Sequence, residues 1–181
     1  EENFFKSNEK LSFINNLKLR TSYGTLGNDG GSDVAYYQYL SKFNTGSNVV
    51  FGSGATGILP GVYPSRGITW ETTTTADVGF DLGLWNGLLS LEFDYFHKKT
   101  KDILMARTRT IPETFGASLP KENYAEMVNQ GCEFLVRHDN KIGNFNYYVS
   151  TNFSFARNHY TKIDESANAY EWELKTGRPI N

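Results

Sequence analysis

The stretch from Thr69 to Asp102, TWETTTTADVGFDLGLWNGLLSLEFDYFHKKTKD, alternates with a period of two. Trp70, Thr72, Thr74, Ala76, Val78, Phe80, Leu82 and Leu84 fall on one face, and Glu71, Thr73, Thr75, Asp77, Gly79, Asp81 and Gly83 on the other. A strand sends successive side chains to opposite faces, so this is a strand with one greasy and one polar side. Asn86-Gly87 follows, the strongest short hairpin signal, because a type I′ turn needs positive φ at both central residues. A two-residue turn sets Trp85 opposite Leu88 and then pairs Leu84 with Leu89, Leu82 with Leu91, Phe80 with Phe93 and Val78 with Tyr95. The polar face pairs Gly83 with Ser90, Asp81 with Glu92 and Gly79 with Asp94. Two separately written segments agree on which face is apolar. A one-residue slip destroys the agreement, so the register is well specified.

Length separates the candidate folds. Strands of water-soluble proteins run about 5–6 residues, and Thr69 to Trp85 is roughly three times that. The apolar band from Ala76 to Leu84, tilted by roughly 40°, covers about 20 Å, near the lipid-facing band of an outer-membrane barrel. Beyond it the same face carries the hydroxyls of Thr72 and Thr74, as a strand leaving lipid for water would. The alternation recurs. LKLRTSYG sets Leu17, Leu19, Thr21 and Tyr23 against Lys18, Arg20 and Ser22. GCEFLVRH sets Cys132, Phe134 and Val136 against Glu133 and Arg137, with Leu135 as an exception. FNYYVSTNFSFARN sets Phe145, Tyr147, Val149, Thr151, Phe153 and Phe155 against Asn146, Tyr148, Ser150, Asn152 and Ser154.

The spacing predicts five antiparallel strands near residues 17–25, 69–85, 88–105, 129–138 and 145–160, an all-β up-and-down meander forming part of a large transmembrane β-barrel. Connections alternate in size: Trp85–Leu88 and Asp139–Asn144 are short, whereas Gly24–Ile68 and Met105–Val128 are long. In bacterial barrels the short turns face the periplasm and the long loops the outside. The first sixteen residues are expected to be mainly a connection on the short-turn side. Phe80, Leu82, Leu91 and Phe93 are expected to be exposed, with Asp81 and Glu92 on the concave side. Five strands leave two bare edges, so the chain reads as an excerpt of a longer protein.

Composition narrows the function classes. Hydrophobic residues make up 39% of the 181, low for a packed core, while 15% are aromatic, high for a disordered chain. A net charge of -2 gives no electrostatic footprint for nucleic acid. Cys132 is the sole cysteine and so forms no internal disulfide. His97, His138 and His159 lie on different strand ends, with no spacing that brings two onto one metal; no cofactor is expected. The basic run His97–Lys101 reads as a solvated strand end near anionic lipopolysaccharide. Asp77, Asp81, Glu92 and Asp94 form an acidic patch on the polar face, with Asp81 opposite Glu92. Two opposed carboxylates resemble a retaining glycosidase in spacing, but nothing else here resembles a sugar-cleaving site, and a wet lumen tolerates charges. DVAYYQYLSKF, Asp33 to Phe43, crowds Tyr36, Tyr37 and Tyr39 into a long loop; such rings stack on sugars, anchor protein interfaces or simply pack their own loop.

The segments INNLKLRTSYGTLGN, ITWETTTTADVGFDLGLWNGLLSLEFDYFHKKTKDILM, EMVNQGCEFLV and YYVSTNFSFARNHYTKI, in this order and spacing, resemble the SusC/RagA family of TonB-dependent outer-membrane transporters. The resemblance covers nearly the whole chain and is weakest from Gly30 to Ser65. Cys132 stands where the family more often has phenylalanine or valine, and acts there as a small hydrophobe. By resemblance, residues 1–181 are part of a TonB-dependent receptor-type barrel of about 22 strands, with its plug and barrel closure outside this chain. Val78, Phe80, Leu82, Leu84, Leu89, Leu91, Phe93 and Tyr95 would then face outer-membrane lipid, and Asp77, Asp81, Glu92 and Asp94 would meet basic groups of the plug. The resemblance further implies import of glycan or peptide oligomers, energy from TonB through the absent N-terminal region, a SusD-like surface lipoprotein as partner of the Tyr36, Tyr37 and Tyr39 loop, and the outer membrane of a Bacteroides/Flavobacterium-type bacterium. A passive porin, a barrel enzyme and a soluble adhesin-like β-sandwich are the competing readings. Strand length and the lipid band weigh against the sandwich.

Overall fold

The computed structural model describes residues 11–30, 36–51, 53–107, 114, 119–165 and 170–180, with backbone alone for 47–51 and 53–56. Among the described residues seven strands run in chain order: β1 (Ile14–Asn28), β2 (Phe43–Phe51), β3 (Ser53–Pro60), β4 (Glu71–Leu84), β5 (Leu89–Ala106), β6 (Lys121–Ile142) and β7 (Phe145–Lys162). Five form one antiparallel sheet in the order β1-β4-β5-β6-β7, and β2 and β3 pair separately as a hairpin. The described residues contain no α-helix, and no helix is long and apolar enough to cross a membrane. That leaves open crossing by strands, which run up to 22 residues here.

The expected five-stranded meander is the observed one, with three differences. The Gly24–Ile68 connection holds the β2–β3 hairpin, which its Gly, Ser and Asn content conceals. Its register runs from Phe43 opposite Pro60 to Phe51 opposite Ser53 and shifts between Thr45 and Ser47. Gly46 sits at that shift with φ of +110°, a conformation open to a residue without Cβ. Strand β6 begins at Lys121, eight residues before the expected 129, because KENYAEMV alternates poorly and strand propensity there is overridden by pairing with β5. Strand β1 starts at Ile14, so the expected leading connection is shorter than sixteen residues; residues 1–10 of it lie outside those described.

By internal contact the chain divides into two compact units. One, drawn from residues 1–25, 74–98 and 129–158, contains the two tight turns. Here Asn86 (φ 57°, ψ 36°) and Gly87 (φ 90°) adopt the mirror-image turn, closed by the Leu88 N–H donating to the Trp85 carbonyl at 3.2 Å. Trp85 is also at positive φ, 48°, so both strands stop one residue short of the expected pair. The Trp85 ring instead packs on Phe13 at 6.1 Å. Asn86 is braced by Asn15, whose amide donates to Asn86 Oδ1 at 2.7 Å while its carbonyl oxygen accepts the Asn86 N–H. Left-handed backbone is costly for most L-residues. Asn86→Ala should therefore destabilise the assembled barrel by about 1–2 kcal/mol, and Asn86→Gly by less, in urea unfolding of the refolded protein.

The register of β4 on β5 is the expected one: the rings of Phe80 and Phe93 stand 5.6 Å apart, and Asp94 lies against Gly79. The expected exposure of the apolar face needs correction. Phe80, Leu82, Leu91 and Phe93 are half-buried, and Leu84 is buried. They lie on β4 and β5, inside the sheet. The same face is open elsewhere: Val78 on β4 is 59% exposed and Tyr95 on β5 45%, and on the edge strands Leu19 is 77% and Phe153 60% exposed.

The other unit, from residues 26–73, 99–128 and 159–181, contains the hairpin and the long connections. Its strands are stitched by neutral polar groups. Thr73 and Thr100 hydroxyls meet at 2.9 Å, again in the expected register. Asn123 Nδ2 donates to the carbonyls of Thr69 (2.8 Å) and Asp102 (2.7 Å), and its Oδ1 accepts the Thr69 N–H at 2.8 Å. Asp102 has φ of +59° within β5, the mark of a bulge.

Candidate functional site

Three neighbouring strands, β1, β4 and β5, supply a charge cluster on the polar face. Arg20 Nη2 donates to Asp94 Oδ2 at 2.8 Å and lies 2.8 Å from Asp81 Oδ1. The second contact is out of line for a hydrogen bond, and Asp81 Oδ1 has no hydrogen-bond donor among the described residues. Lys18 Nζ stands 4.0 Å from Asp81 Oδ2. Arg20 reaches Asp94 across the whole width of β4. The space comes from Gly79: a Cβ there would meet the Asp94 carboxylate and sit 2.7 Å from the Phe93 carbonyl oxygen.

The acidic patch read from the sequence is thus brought together in part. Asp81 and Asp94 share one guanidinium, Asp77 is half-buried, and Glu92 is exposed. Sequence reasoning missed that a basic partner lies within the sheet. The signal was available, since Lys18 and Arg20 alternate onto the polar face of the strand that neighbours β4. One cation bridging two carboxylates from different strands offsets the like-charge repulsion between Asp81 and Asp94. It forms a fixed ion network rather than a proton-transfer pair.

Farther along the polar face, Arg137 forks onto Asp139 (Nε–Oδ2 2.7 Å, Nη2–Oδ1 2.9 Å) and lies 5.5 Å from the Tyr148 ring. His138 and Asn140 both reach the Tyr147 hydroxyl, at 3.4 and 3.2 Å. Among the described residues no three His, Cys, Asp or Glu side chains could share a metal ion.

In the loop unit, Tyr36, Tyr37 and Tyr39 are 88%, 64% and 53% exposed. Asp33–Ala35 of the same stretch lie outside the described residues. The tyrosines sit on a tied turn: the Leu40 N–H donates to the Tyr37 carbonyl (3.1 Å), Lys42 Nζ to the Tyr36 carbonyl (2.8 Å), and the Ser65 N–H to the Gln38 carbonyl (2.9 Å). The backbone is fastened while the rings project into water, Tyr37 and Tyr39 touching at 6.4 Å. A second exposed aromatic pair, Tyr170 and Trp172, went unnoticed in the sequence because it stands among charged residues in what reads as a polar tail.

Comparison with known proteins bears on the family of this fold. Residues 7–181 match the family model described as TonB dependent receptor-like, beta-barrel. TonB-dependent receptor P3 of Formosa agariphila is 35% identical over 158 residues, which cover 87% of this chain and 15% of that protein. TonB-dependent receptor SusC of Bacteroides thetaiotaomicron is 28% identical over 165 residues, 90% of this chain and 16% of SusC. Among solved structures, that of the RagAB peptide transporter superposes with a TM-score of 0.65 at 26% identity, over 86% of this chain and 16% of the other. The chain therefore spans about 15% of the length of the curated relatives it matches. Those relatives are receptors and transporters, not enzymes. A long-stranded antiparallel sheet with two open edges, matched over almost its full length, has one consistent assignment: the chain belongs to the TonB-dependent receptor β-barrel family, among the SusC/RagA-type members.

Proposed function

We propose that this chain is wall of an outer-membrane importer that takes up nutrient oligomers, glycan or peptide, with energy from TonB and with a SusD-like surface lipoprotein as partner. The observation that carries the reading is the family match across residues 7–181, on a sheet whose strands are long enough to cross a lipid bilayer. Similarity to SusC and to the RagAB peptide transporter supports the partner, and the latter supports the peptide cargo class. On this reading Val78, Phe80, Leu82, Leu84, Leu89, Leu91, Phe93 and Tyr95 face lipid, the tight turns face the periplasm and the loops face outward. Asp77 and Glu92 are then the members of the acidic patch left to meet basic plug residues. A passive porin would share the wall but not the energy dependence. Uptake of cargo by cells carrying the intact protein should stop when the proton gradient is collapsed; uptake that continues unchanged sinks the importer reading.

The tyrosine turn has an expected part in this. Replacing Tyr36, Tyr37 and Tyr39 together by alanine should leave barrel assembly intact, since no strand of the five-stranded sheet is touched, and should reduce uptake or co-purification of the lipoprotein. Exposed tyrosines on a fastened backbone lose little entropy on contact, which suits them to such an interface. Undiminished uptake together with undiminished co-purification would limit the cluster to packing its own loop.

A further inference from the structure

We propose that Tyr170 and Trp172 form a stacking platform for a sugar ring, a contact site for oligosaccharide cargo; this rests on the importer reading and narrows it to carbohydrate. The two rings lie parallel to within 8° with centroids 5.7 Å apart, and each is 68% exposed. Within this chain the two large aromatic side chains stand clear of any core, in a run of charged residues.

The segment beneath them is built to stay put. Arg178 donates through Nη1 to the Trp172 carbonyl and through Nη2 to the Glu171 carbonyl, both at 2.7 Å. The Glu173 N–H closes the turn on the Tyr170 carbonyl at 2.8 Å, and the Tyr170 N–H donates to Glu173 Oε2 at 3.3 Å. Glu165 accepts from the N–H groups of Lys175 and Thr176 and from the Thr176 hydroxyl. The Gly177 N–H, on a residue at φ of +79°, donates to the Tyr160 carbonyl at 2.8 Å, pinning the segment to the end of β7.

That wiring selects the ligand. Peptides are commonly bound by main-chain hydrogen bonds to an open strand or turn. Here the carbonyls of residues 170, 171 and 172 and the N–H groups of 170 and 173 are already used within the segment. The exposed ring faces stand beside this wired backbone, in a run that also carries Glu171 and Lys175. A pyranose matches this: its C–H face stacks on an aromatic ring and its rim hydroxyls hydrogen-bond to neighbouring charged groups. A protein partner would need a wider apolar patch, and the residues flanking the rings, Glu171, Glu173 and Lys175, interrupt one. A cleft lined by Met105, Ile163, Glu165, Glu173 and Lys175 adjoins the segment and gives further sugar units somewhere to run.

The test uses the full-length outer-membrane protein, purified in detergent and presented with maltoheptaose, cellohexaose, laminarihexaose and a pool of tryptic peptides. The wild type should bind at least one oligosaccharide. Tyr170→Ala/Trp172→Ala should weaken that binding by about tenfold or more, the loss of two stacking contacts. Tyr170→Phe/Trp172→Phe, which keeps the ring faces, should recover most of it. Unchanged sugar binding by the alanine pair would overturn the platform. So would a wild type that binds only the peptide pool, an outcome that leaves the importer reading standing. Failure of the importer reading is seen separately, as uptake that ignores the proton gradient while binding to the purified protein remains measurable.

Discussion

Leu82→Arg should destabilise the assembled barrel by about 2–4 kcal/mol, and Thr72→Arg by no more than about 1. Both positions lie on β4 and on the same face, ten residues apart. Leu82 is in the apolar band with Phe80 and Leu84, where, in the proposed orientation, a guanidinium would sit in hydrocarbon with no water to hydrate it. Thr72 is in the hydroxylated part of the strand, beside Thr74, whose Oγ1 lies 3.4 Å from that of Thr25. The measurement is urea unfolding of the full-length protein in lipid vesicles. Leu82 is half-buried, so its loss alone would also follow if the face packed on protein. Leu19→Arg on the same face separates lipid from water. Leu19 is 77% exposed in this chain, and a water-facing site would accept arginine freely, whereas a lipid-facing one should lose about 2–4 kcal/mol. A harmless Leu19→Arg would end the lipid assignment of this face.

Much of this architecture was legible because the period-two signal is long and doubly written. The Thr69–Trp85 and Leu88–Met105 segments fix each other's register, and Phe80 on Phe93 and Thr73 on Thr100 meet as the turn dictates. The β2–β3 hairpin was hidden for the opposite reason. Its strands are 9 and 8 residues, glycine-punctuated, and their sequences carry no sustained alternation of apolar and polar residues. The start of β6 was hidden because Lys121–Val128 is held by pairing and by Asn123, neither of which leaves a hydrophobic trace. Sites fared differently from strands. The acidic residues were visible one by one, but their sharing of Arg20 depends on strand order, which turns a separation of 74 residues into a 2.8 Å contact. The Tyr170–Trp172 pair was invisible because hydropathy averages it with its charged neighbours, while its meaning lies in a turn that only the Arg178 and Glu165 contacts create.

Gly79→Ala should cost about 1–3 kcal/mol, an unusual sensitivity for one methyl group on a polar sheet face. The position is buried beneath Asp94, and an added Cβ would lie 2.9 Å from Asp94 Cγ and 2.7 Å from the Phe93 carbonyl oxygen. The carboxylate can swing away, but only by releasing Arg20. The carbonyl belongs to β5 and moves only with its strand. Both responses disturb the cluster that ties β1 to β5 across β4. A double-mutant cycle separates them. In an Asp94→Ala background, the cost of Gly79→Ala should fall by more than about 0.5 kcal/mol, since one of the two obstacles is gone, yet stay above zero because the carbonyl remains. Gly83→Ala is the control: it lies on the same strand and face, but its added Cβ would meet nothing closer than Asn16 Cβ at 3.4 Å. It should stay within about 0.5 kcal/mol of wild type, as surface substitutions do. Equal costs at positions 79 and 83, or strict additivity with Asp94→Ala, would mean that Gly79 does not make the room through which Asp94 reaches Arg20.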